Sequence, residues 1–215
     1  MKWHDIEQNS EEWSLLRAGK LTGSSFGKIM AKENGALGSQ ARDLAKKTAV
    51  ERITGRPTQR GFYGYHMQRG HEQEPIAIQK YEEQTFNTVS KGGFFDCGKV
   101  GVSPDCLIDE DGVGEIKSVE AHVHYDNIVR QSFDPTYRWQ YIGNLYFSER
   151  QYLDFISYCA DYPADKQIYI CTIEIDQVKE EIERLEKRIE EFFRLVDRFQ
   201  AVILNSNYEV KYATA

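Results

Sequence analysis

The sequence lacks the features that mark thiolate-metal and membrane-spanning proteins. Its four cysteines are widely spaced and form no C-x-x-C pair, which argues against a zinc or iron–sulfur site and favours ordinary buried thiols. No run of about 18 apolar residues is present to span a bilayer, and the N-terminal stretch MKWHDIEQNS has no apolar core of a secretion signal. We therefore expect a soluble, intracellular protein with no membrane partner.

The sequence also has fewer basic than acidic residues, and its formal net charge is −7. Alone, this balance argues against nucleic acid, because Lys and Arg neutralise phosphates. The distribution is uneven, however: acids dominate the C-terminal tail, whereas Lys and Arg outnumber acids in the first 71 residues. The basic residues there include Arg42, Lys46, Lys47, Arg52, Arg56 and Arg60. Such a cluster is also typical of a solvated helix face, so net charge decides little.

Helical patterns occupy both ends of the chain. With 215 residues and 40% hydrophobic residues, the chain is predicted to form a single domain over residues 1–215. Ser10 is predicted to cap a first helix, and Ser24 or Ser25 to cap a second. Pro75 should kink a later helix or mark its first turn. The longer predicted helices cover residues 40–54, 65–86, 135–148 and 176–204, the last strongly amphipathic.

The middle of the chain has the patterns of strands. TVSKGGFF, KVGVSPDCLID and GVGEIKSV are predicted to form a three-stranded meander, and YLDFISYCA and QIYICTIEI to add two more strands. The order of helices, strands, helix, strands and helix predicts an α/β fold. Its mixed central β-sheet should be flanked by helices, with a helical N-terminal part and a long C-terminal helix.

Two acids and a lysine stand out in the stretch GVSPDCLIDEDGVGEIKS, residues 101–118. On a strand, Glu115 and Lys117 leave the same face while Ile116 points to the core. We expect Asp105 to lie at the end of the preceding strand and to be brought beside Glu115 by pairing. Two adjacent carboxylates repel each other unless they are protonated or bridged by a cation, and an all-oxygen site suits Mg²⁺ or Mn²⁺. The alternative is a solvated hairpin around the turn at residues 109–112.

The S-P-D and E-I-K segments together match the PD-(D/E)xK nuclease pattern. In that interpretation, Lys117 would position or deprotonate the attacking water beside the metal. Glu74, on the helix before the sheet, and Gln140, on the helix after it, are further candidates, although polar residues on helices are usually surface residues. Taken alone, the pattern leaves the solvated hairpin open.

Four segments in order resemble the lambda-exonuclease-like, YqaJ-type phage recombination nucleases. They are WSLLRAGKLTGSS (13–25), MQRGHEQEPIA (67–77), GVSPDCLID with GEIKS (101–118) and YRWQYIGNLYF (137–147). The resemblance implies a restriction-endonuclease-like PD-(D/E)xK core. It also implies site residues, as follows: Asp105, Glu115 and the backbone carbonyl of Ile116 would ligate Mg²⁺, with Mn²⁺ as a substitute; Glu74 would complete the metal shell; Lys117 would be the catalytic lysine, assisted by Gln140.

The same resemblance implies an anion site in the first segment. Arg17 would bind the 5′-phosphate of the strand being degraded, with Thr22 and Ser24 beside it. A guanidinium fork with hydroxyls and backbone N–H groups suits a phosphate chemically. Some family members carry an arginine shortly after E-x-K, where this chain has none, so the roles of His122, His124 and Arg130 are unassigned.

The implied activity is a Mg²⁺-dependent 5′-to-3′ exonuclease acting on double-stranded DNA, which leaves 3′ single strands for recombination by annealing. The family also implies a ring-shaped homotrimer, a single-strand annealing protein as partner, and a phage or prophage gene expressed in the bacterial cytoplasm. Two alternatives stay open: a PD-(D/E)xK endonuclease or junction resolvase, and a catalytically inactive DNA-binding recombination scaffold. An iron–sulfur nuclease is excluded by the cysteine spacing.

Overall fold

The structure is a computed structural model that describes residues 1–32, 35–58 and 65–206, without the side chains of residues 65–68 and 71. Nine strands and seven α-helices are formed in these ranges. The predicted α/β class with a mixed sheet and a long C-terminal helix is confirmed, but the strands form two mixed sheets instead of one. No helix in the described ranges is both long and apolar enough to cross a membrane.

The α-helices come before, between and after the strands along the chain. They are α1 (Glu11–Arg17), α2 (Phe26–Met30), α3 (Ser39–Thr54), α4 (Tyr65–Thr85), α5 (Ala121–Arg130), α6 (Arg138–Phe147) and α7 (Lys179–Leu204). Three short 3₁₀ turns, Gly23–Ser25, Pro135–Tyr137 and Ile175–Val178, lead directly into α2, α6 and α7.

The larger sheet has the order β3-β6-β7-β8-β9. Its strands are β3 (Val89–Lys91), β6 (Cys106–Ile108), β7 (Gly112–Ser118), β8 (Tyr152–Tyr158) and β9 (Ile168–Glu174). Neighbours run antiparallel except for β7 and β8, which are parallel and joined by the crossover through α5 and α6. The central strand β7 is buried over its first five residues.

The smaller sheet has the order β1-β4-β5-β2. Its strands are β1 (Lys2–His4), β2 (Leu21–Thr22), β4 (Phe94–Cys97) and β5 (Val100–Val102). The predicted three-stranded meander is therefore wrong, because two of its strands divide between the sheets. The breaks lie at Gly92 and Pro104. Pro104 has no N–H for a ladder, and a Cβ on Gly92 would lie 1.8 Å from the Pro104 carbonyl oxygen, so the two breaks pack together.

The C-terminal helix α7 supplies much of the core. Its predicted apolar stripe is confirmed, since Ile182, Leu185, Ile189, Phe192, Phe193 and Val196 are buried. Arg188 is also buried in this helix, where its guanidinium donates to the carbonyls of Ile29 (2.8 Å) and Gly35 (2.9 Å). Because these donors satisfy carbonyls at and beyond the end of α2, Arg188 ties that segment to α7.

The structure confirms some local predictions and corrects others. Ser10 caps α1, with its Oγ accepting from Trp13 N at 3.1 Å. Ser25 occupies the N-cap position of α2, as predicted, but neither Ser24 nor Ser25 caps the helix with a side-chain hydrogen bond. Pro75 lies inside α4, so it does not mark a first turn. The helix α5 and the short strands β1 and β2 were not predicted.

The basic cluster and the thiols are placed more simply. Arg42, Lys46, Lys47 and Arg56 are exposed, as expected of a solvated face, whereas Arg52 is half-buried and donates to Gly19 O at 2.9 Å. Arg60 lies outside the described residues.

All four cysteines are free thiols; Cys106 and Cys159 are buried, and Cys97 and Cys171 are half-buried.

Candidate active site

Asp105 and Glu115 are brought together by the pairing of β6 with β7. Cys106 is opposite Gly114 in that register, so Asp105 is opposite Glu115, as predicted. Asp105 N–H donates to Gly114 O at 3.0 Å, and Asp105 Oδ2 accepts from Ile116 N at 2.7 Å. The position of Asp105 differs from the prediction, because it comes immediately before β6 and not at the end of β5. Pro104 lies between β5, which ends at Val102, and β6, which begins at Cys106.

Glu115 is fully buried, and side-chain donors surround it. Its Oε2 accepts from Lys117 Nζ at 3.0 Å and from Gln140 Nε2 at 2.9 Å, while its Oε1 accepts from Asn144 Nδ2. Burial and the nearby Asp105 raise the pKa of Glu115 to about 7, although Lys117 and Asn144 oppose the rise. Ile116 points to the core, as predicted, and is buried.

Lys117 lies between the two carboxylates. Its Nζ is 3.0 Å from Glu115 Oε2 and 3.8 Å from Asp105 Oδ2. Burial lowers the pKa of Lys117, but Glu115 and Asp105 together outweigh that effect, so the pKa lies above its ordinary value. Lys117 is therefore an ammonium group in this arrangement, and it partly balances two neighbouring negative charges.

The helix α6 provides the two amides that hold Glu115. Gln140 and Asn144 are four residues apart and thus share one face of the helix. Gln140 was predicted as a site residue, whereas Asn144 was missed. The i, i+4 spacing from Gln140 was the available signal, because it places the second amide on the face that Gln140 turns to the sheet.

Glu74, on α4, borders the site from the other side. It lines a cavity of about 300 Å³ together with Gln8, Lys91 and Asp105. Burial first and Asp105 second raise the pKa of Glu74 to about 7, with Lys117 acting in the opposite direction. Glu74 is thus electrostatically coupled to both Asp105 and Lys117.

The oxygen atoms of this site fit a magnesium-type cation. Among the described residues, no three acidic, imidazole or thiol side chains converge closely enough to hold a metal by themselves. Mg²⁺, however, is usually bound through only one or two carboxylates and keeps several waters. Asp105 and Glu115 supply two carboxylates, and burial first and Asp105 second raise the pKa values of Glu115 and Glu74, effects that a bound cation would oppose. The donor set therefore fits Mg²⁺ or Mn²⁺ better than zinc.

Arg17 lies at the edge of the same site. Its guanidinium carbon is 3.8 Å from the centroid of the Trp13 ring, and Trp13 Nε1 donates to Ser103 Oγ at 2.9 Å. Burial lowers the pKa of Arg17 to about 10, although Glu51 partly offsets this. Within the part of the chain that the structure describes, Arg17 has no hydrogen-bonded or ion-paired acceptor. The guanidinium therefore has donors available for an anion.

One cavity joins Arg17 to the carboxylates. It has a volume of about 140 Å³ and is lined by Gln8, Trp13, Arg17, Gly23, Ser24, Ser103, Asp105, Gln140 and Asn144. Ser24 thus lies beside Arg17, as expected. Thr22 lines a second cavity of about 250 Å³, which Arg17 also borders, together with Lys47 and Glu51. Thr22 and Ser24, which were predicted to act together, thus line different cavities that Arg17 borders.

The three unassigned residues lie on α5. His124 is buried, with Nδ1 2.8 Å from Ser157 Oγ and Nε2 3.1 Å from Lys166 O. His122 is exposed, and Arg130 Nη1 donates to Asn127 Oδ1 at 3.0 Å. These contacts give His124 a structural role within the fold.

Comparison with known proteins identifies the family. A family model described as the YqaJ-like viral recombinase domain matches residues 12–151. This chain belongs to the YqaJ-like viral recombinase family. The matched range includes Arg17, Glu74, strands β6 and β7, and helix α6, and with them Asp105, Glu115, Lys117, Gln140 and Asn144. No curated protein sequence matches the YqaJ-like chain significantly.

Solved structures agree with this assignment. An alkaline exonuclease, LHK-Exo, from Laribacter hongkongensis is 27% identical, with a TM-score of 0.74, over 91% of the YqaJ-like chain and 98% of its own. A structure of LHK-Exo in complex with dAMP is 28% identical over the same shares, with a TM-score of 0.76. A phage-related exonuclease from Haemophilus somnus 129PT shares the fold, at 16% identity and a TM-score of 0.68 over 86% and 96% of the two chains.

Proposed function

We propose that this chain is a Mg²⁺-dependent exonuclease that degrades double-stranded DNA from 5′-phosphorylated ends. It acts in the 5′-to-3′ direction and leaves a 3′ single strand for recombination by annealing. One observation carries the proposal: Arg17 and Asp105 line the same small cavity, and no described residue accepts a hydrogen bond from the Arg17 guanidinium. An anion held by Arg17 would therefore lie in the cavity that Asp105 also lines.

The anion end of the cavity is suited to a terminal phosphate. The planar guanidinium can donate two parallel hydrogen bonds to phosphate oxygens, and stacking on Trp13 fixes its plane. Ser24 adds a hydroxyl from the neighbouring turn. Trp13 is itself anchored by Ser103, two residues before Asp105, so the anion end and the acidic end share one scaffold. This short connection favours cleavage near a strand end over cleavage within a duplex.

The acidic end would hold the cation through Asp105, Glu115 and the carbonyl of Ile116, with Glu74 nearby. The cation, when bound, would supply a Lewis acid that offsets charge on the scissile phosphate. Gln140 and Asn144 keep Glu115 in a fixed orientation, and Ile116 N–H does the same for Asp105. The two carboxylates are therefore oriented by the protein before any ligand arrives.

Lys117 acts as a charged donor in this proposal. Because Asp105 and Glu115 raise its pKa, the ammonium form orients the attacking water and stabilises negative charge that develops on the phosphate. The other expected role, in which Lys117 deprotonates the attacking water, requires a neutral amine, which the ion pair with Glu115 disfavours. The geometry thus favours positioning by Lys117 over proton abstraction.

The relatives support a nucleotide-directed activity. LHK-Exo is described as an alkaline exonuclease and has been solved with a deoxynucleoside monophosphate, the kind of product that an exonuclease releases. The recombinase family name supports a role in recombination. A ring-shaped homotrimer around DNA and a single-strand annealing partner are part of the proposal, and the mass of the purified protein from light scattering tests the former.

Digestion of matched DNA substrates tests the activity. The purified chain is incubated with a linear duplex and with the same DNA as a covalently closed circle, each with Mg²⁺ or with a chelator. We expect degradation of the linear duplex in Mg²⁺ alone and an intact circle. Efficient cutting of the circle would favour an endonuclease, and the absence of hydrolysis on both substrates would favour a DNA-binding scaffold.

A further inference from the structure

Asn144 connects two parts of the site that are far apart in sequence. It is buried on α6, with 1% of its surface exposed, and its Nδ2 donates to Glu115 Oε1. Gln140, one turn earlier, donates to the other oxygen of the same carboxylate at 2.9 Å. Each oxygen of Glu115 therefore has its own amide donor, which fixes the plane of the carboxylate.

The other end of the Asn144 amide faces Gly23. Asn144 Oδ1 is buried and accepts no hydrogen bond from the residues that the structure describes. A Cβ added to Gly23 would lie 2.3 Å from Oδ1, which is closer than any stable contact between those atoms. Gly23 lies between Thr22 and Ser24, in the turn that lines the two cavities beside Arg17. The amide of Asn144 is therefore in contact with both the anion-binding turn and the Glu115 carboxylate.

Both ends of the Asn144 amide are in contact with neighbouring groups. Nδ2 donates to Glu115, and Oδ1 is buried against the turn at Gly23. These contacts point to a role that Asn144 exerts through its neighbours.

We propose that Asn144 is a positioning residue, which orients Glu115 for the cation and sets the spacing between Glu115 and the Arg17–Ser24 anion site by packing on Gly23. The inference rests on the proposed function, because it assumes that Glu115 binds a cation. The inference adds Asn144 to the site. It also assigns a role to the contact with Gly23, because a side chain at residue 23 would displace the Asn144 amide. Groups that orient ligand carboxylates typically change metal affinity 10- to 100-fold when they are removed.

A double-mutant cycle tests the contact. Asn144→Ala removes the amide, and Gly23→Ala pushes against it while leaving it in place. We expect each substitution to weaken Mg²⁺ binding, measured by titration calorimetry without DNA, by about 10- to 100-fold. In the double variant the new methyl group has room, so its Mg²⁺ affinity should be no weaker than that of Asn144→Ala alone.

A matched control separates this effect from a general loss of a buried amide. Asn127 is equally buried, on α5, and donates to Ser157 Oγ at 3.2 Å. Asn127→Ala should leave Mg²⁺ affinity within about twofold of the wild type, whatever it does to stability. Circular dichroism checks folding throughout; if Asn144→Ala does not fold, the Mg²⁺ affinity of Gly23→Ala decides.

The outcomes distinguish the inference from the proposed function. Wild-type protein that binds Mg²⁺ and degrades DNA, with unchanged Mg²⁺ affinity in folded Asn144→Ala or Gly23→Ala, overturns the positioning role alone. Strictly additive losses in the double variant overturn the Gly23 contact. Wild-type protein that neither binds Mg²⁺ nor hydrolyses DNA overturns both the inference and the proposed function.

Discussion

The guanidinium of Arg17 stacks on Trp13 with its carbon 3.8 Å from the ring centroid, and no acceptor among the described residues pairs with it. A half-buried guanidinium that lacks a hydrogen-bonded acceptor among the described residues is stabilised when an anion completes its environment. Because Trp13 also anchors Ser103, this stacked pair fixes the guanidinium relative to Asp105. In the proposed function, this pair couples recognition of the strand end to hydrolysis.

Arg17→Ala should remove the preference for 5′-phosphorylated ends. A hydrogen bond to a charged group contributes about 1.5–3 kcal/mol, so we expect about a 10- to 150-fold loss of kcat/KM on phosphorylated ends and little change on hydroxyl ends. Paired duplexes that differ only in the 5′ group measure this. Arg42→Ala, an exposed arginine on α3, is the control. Equal losses on both end types would indicate a folding defect and contradict the role.

Lys117→Ala should abolish cleavage without abolishing cation binding. The substitution removes the charged donor beside the reacting phosphate, and loss of one such donor costs about 10²- to 10³-fold in rate. It also removes a positive charge 3.0 Å from Glu115, so Mg²⁺ affinity should be undiminished. Single-turnover cleavage and calorimetry measure the two quantities. Undiminished cleavage would refute the catalytic role of Lys117.

Asp105→Asn should not lower the Tm of the metal-free protein, but it should remove most of the stabilisation by Mg²⁺. The amide oxygen can still accept from Ile116 N, and the repulsion with Glu115 is lost, so the Tm of the metal-free protein should not fall. Added Mg²⁺ should raise the Tm of the wild type, because a ligand of the folded state stabilises it, and should have little effect on the variant. An equal rise in both proteins would remove Asp105 from the metal site.

Protonation of His124 should make the metal-free protein less stable at acid pH. Burial lowers the pKa of His124, and its Nε2 faces the Lys166 carbonyl while Nδ1 can accept from Ser157, which suits the neutral ring. The folded state therefore binds fewer protons than the unfolded state, whose His pKa is about 6.5. The stabilising contribution of His124 is complete above that pH and declines as the pH falls below it, by at most about 1.4 kcal/mol per pH unit.

Urea unfolding of the wild type and of His124→Gln between pH 8 and 5 measures this contribution. The advantage of the wild type over His124→Gln should shrink as the pH falls, and His122→Gln, at an exposed position, should show no such trend. An advantage that stays constant over the range would contradict the neutral, buried assignment. The comparison is made in chelator, so that the carboxylates of the acidic site are free of metal in both proteins.

Much of the site could be predicted because its chemistry is local in sequence. Glu115 and Lys117 are two residues apart on one strand, so their shared face follows from strand periodicity alone. The short turn at residues 109–112 fixes the register that brings Asp105 opposite Glu115. The long amphipathic helix α7 was equally clear, because its apolar spacing persists over many turns.

The remainder depends on contacts that no local pattern contains. The division of the strands between two sheets follows from the packing of Gly92 on Pro104, which a run of β-branched residues does not reveal. Asn144 was missed because its role requires Glu115 and Gly23, which lie 29 and 121 positions away, to meet on α6. Helix α5 was missed because its sequence, AHVHYDNIVR, contains few strong helix formers.

End-resolved digestion of a linear duplex tests the central claim most directly. The two ends carry different fluorescent labels on their 3′ termini, and one 5′ terminus is phosphorylated while the other is a hydroxyl. With Mg²⁺, we predict that the 5′-phosphorylated strand is removed progressively from its 5′ end, that mononucleotides accumulate and that the complementary strand persists. Degradation that begins at 3′ ends, that ignores the 5′-phosphate, or that proceeds equally in chelator would contradict the account.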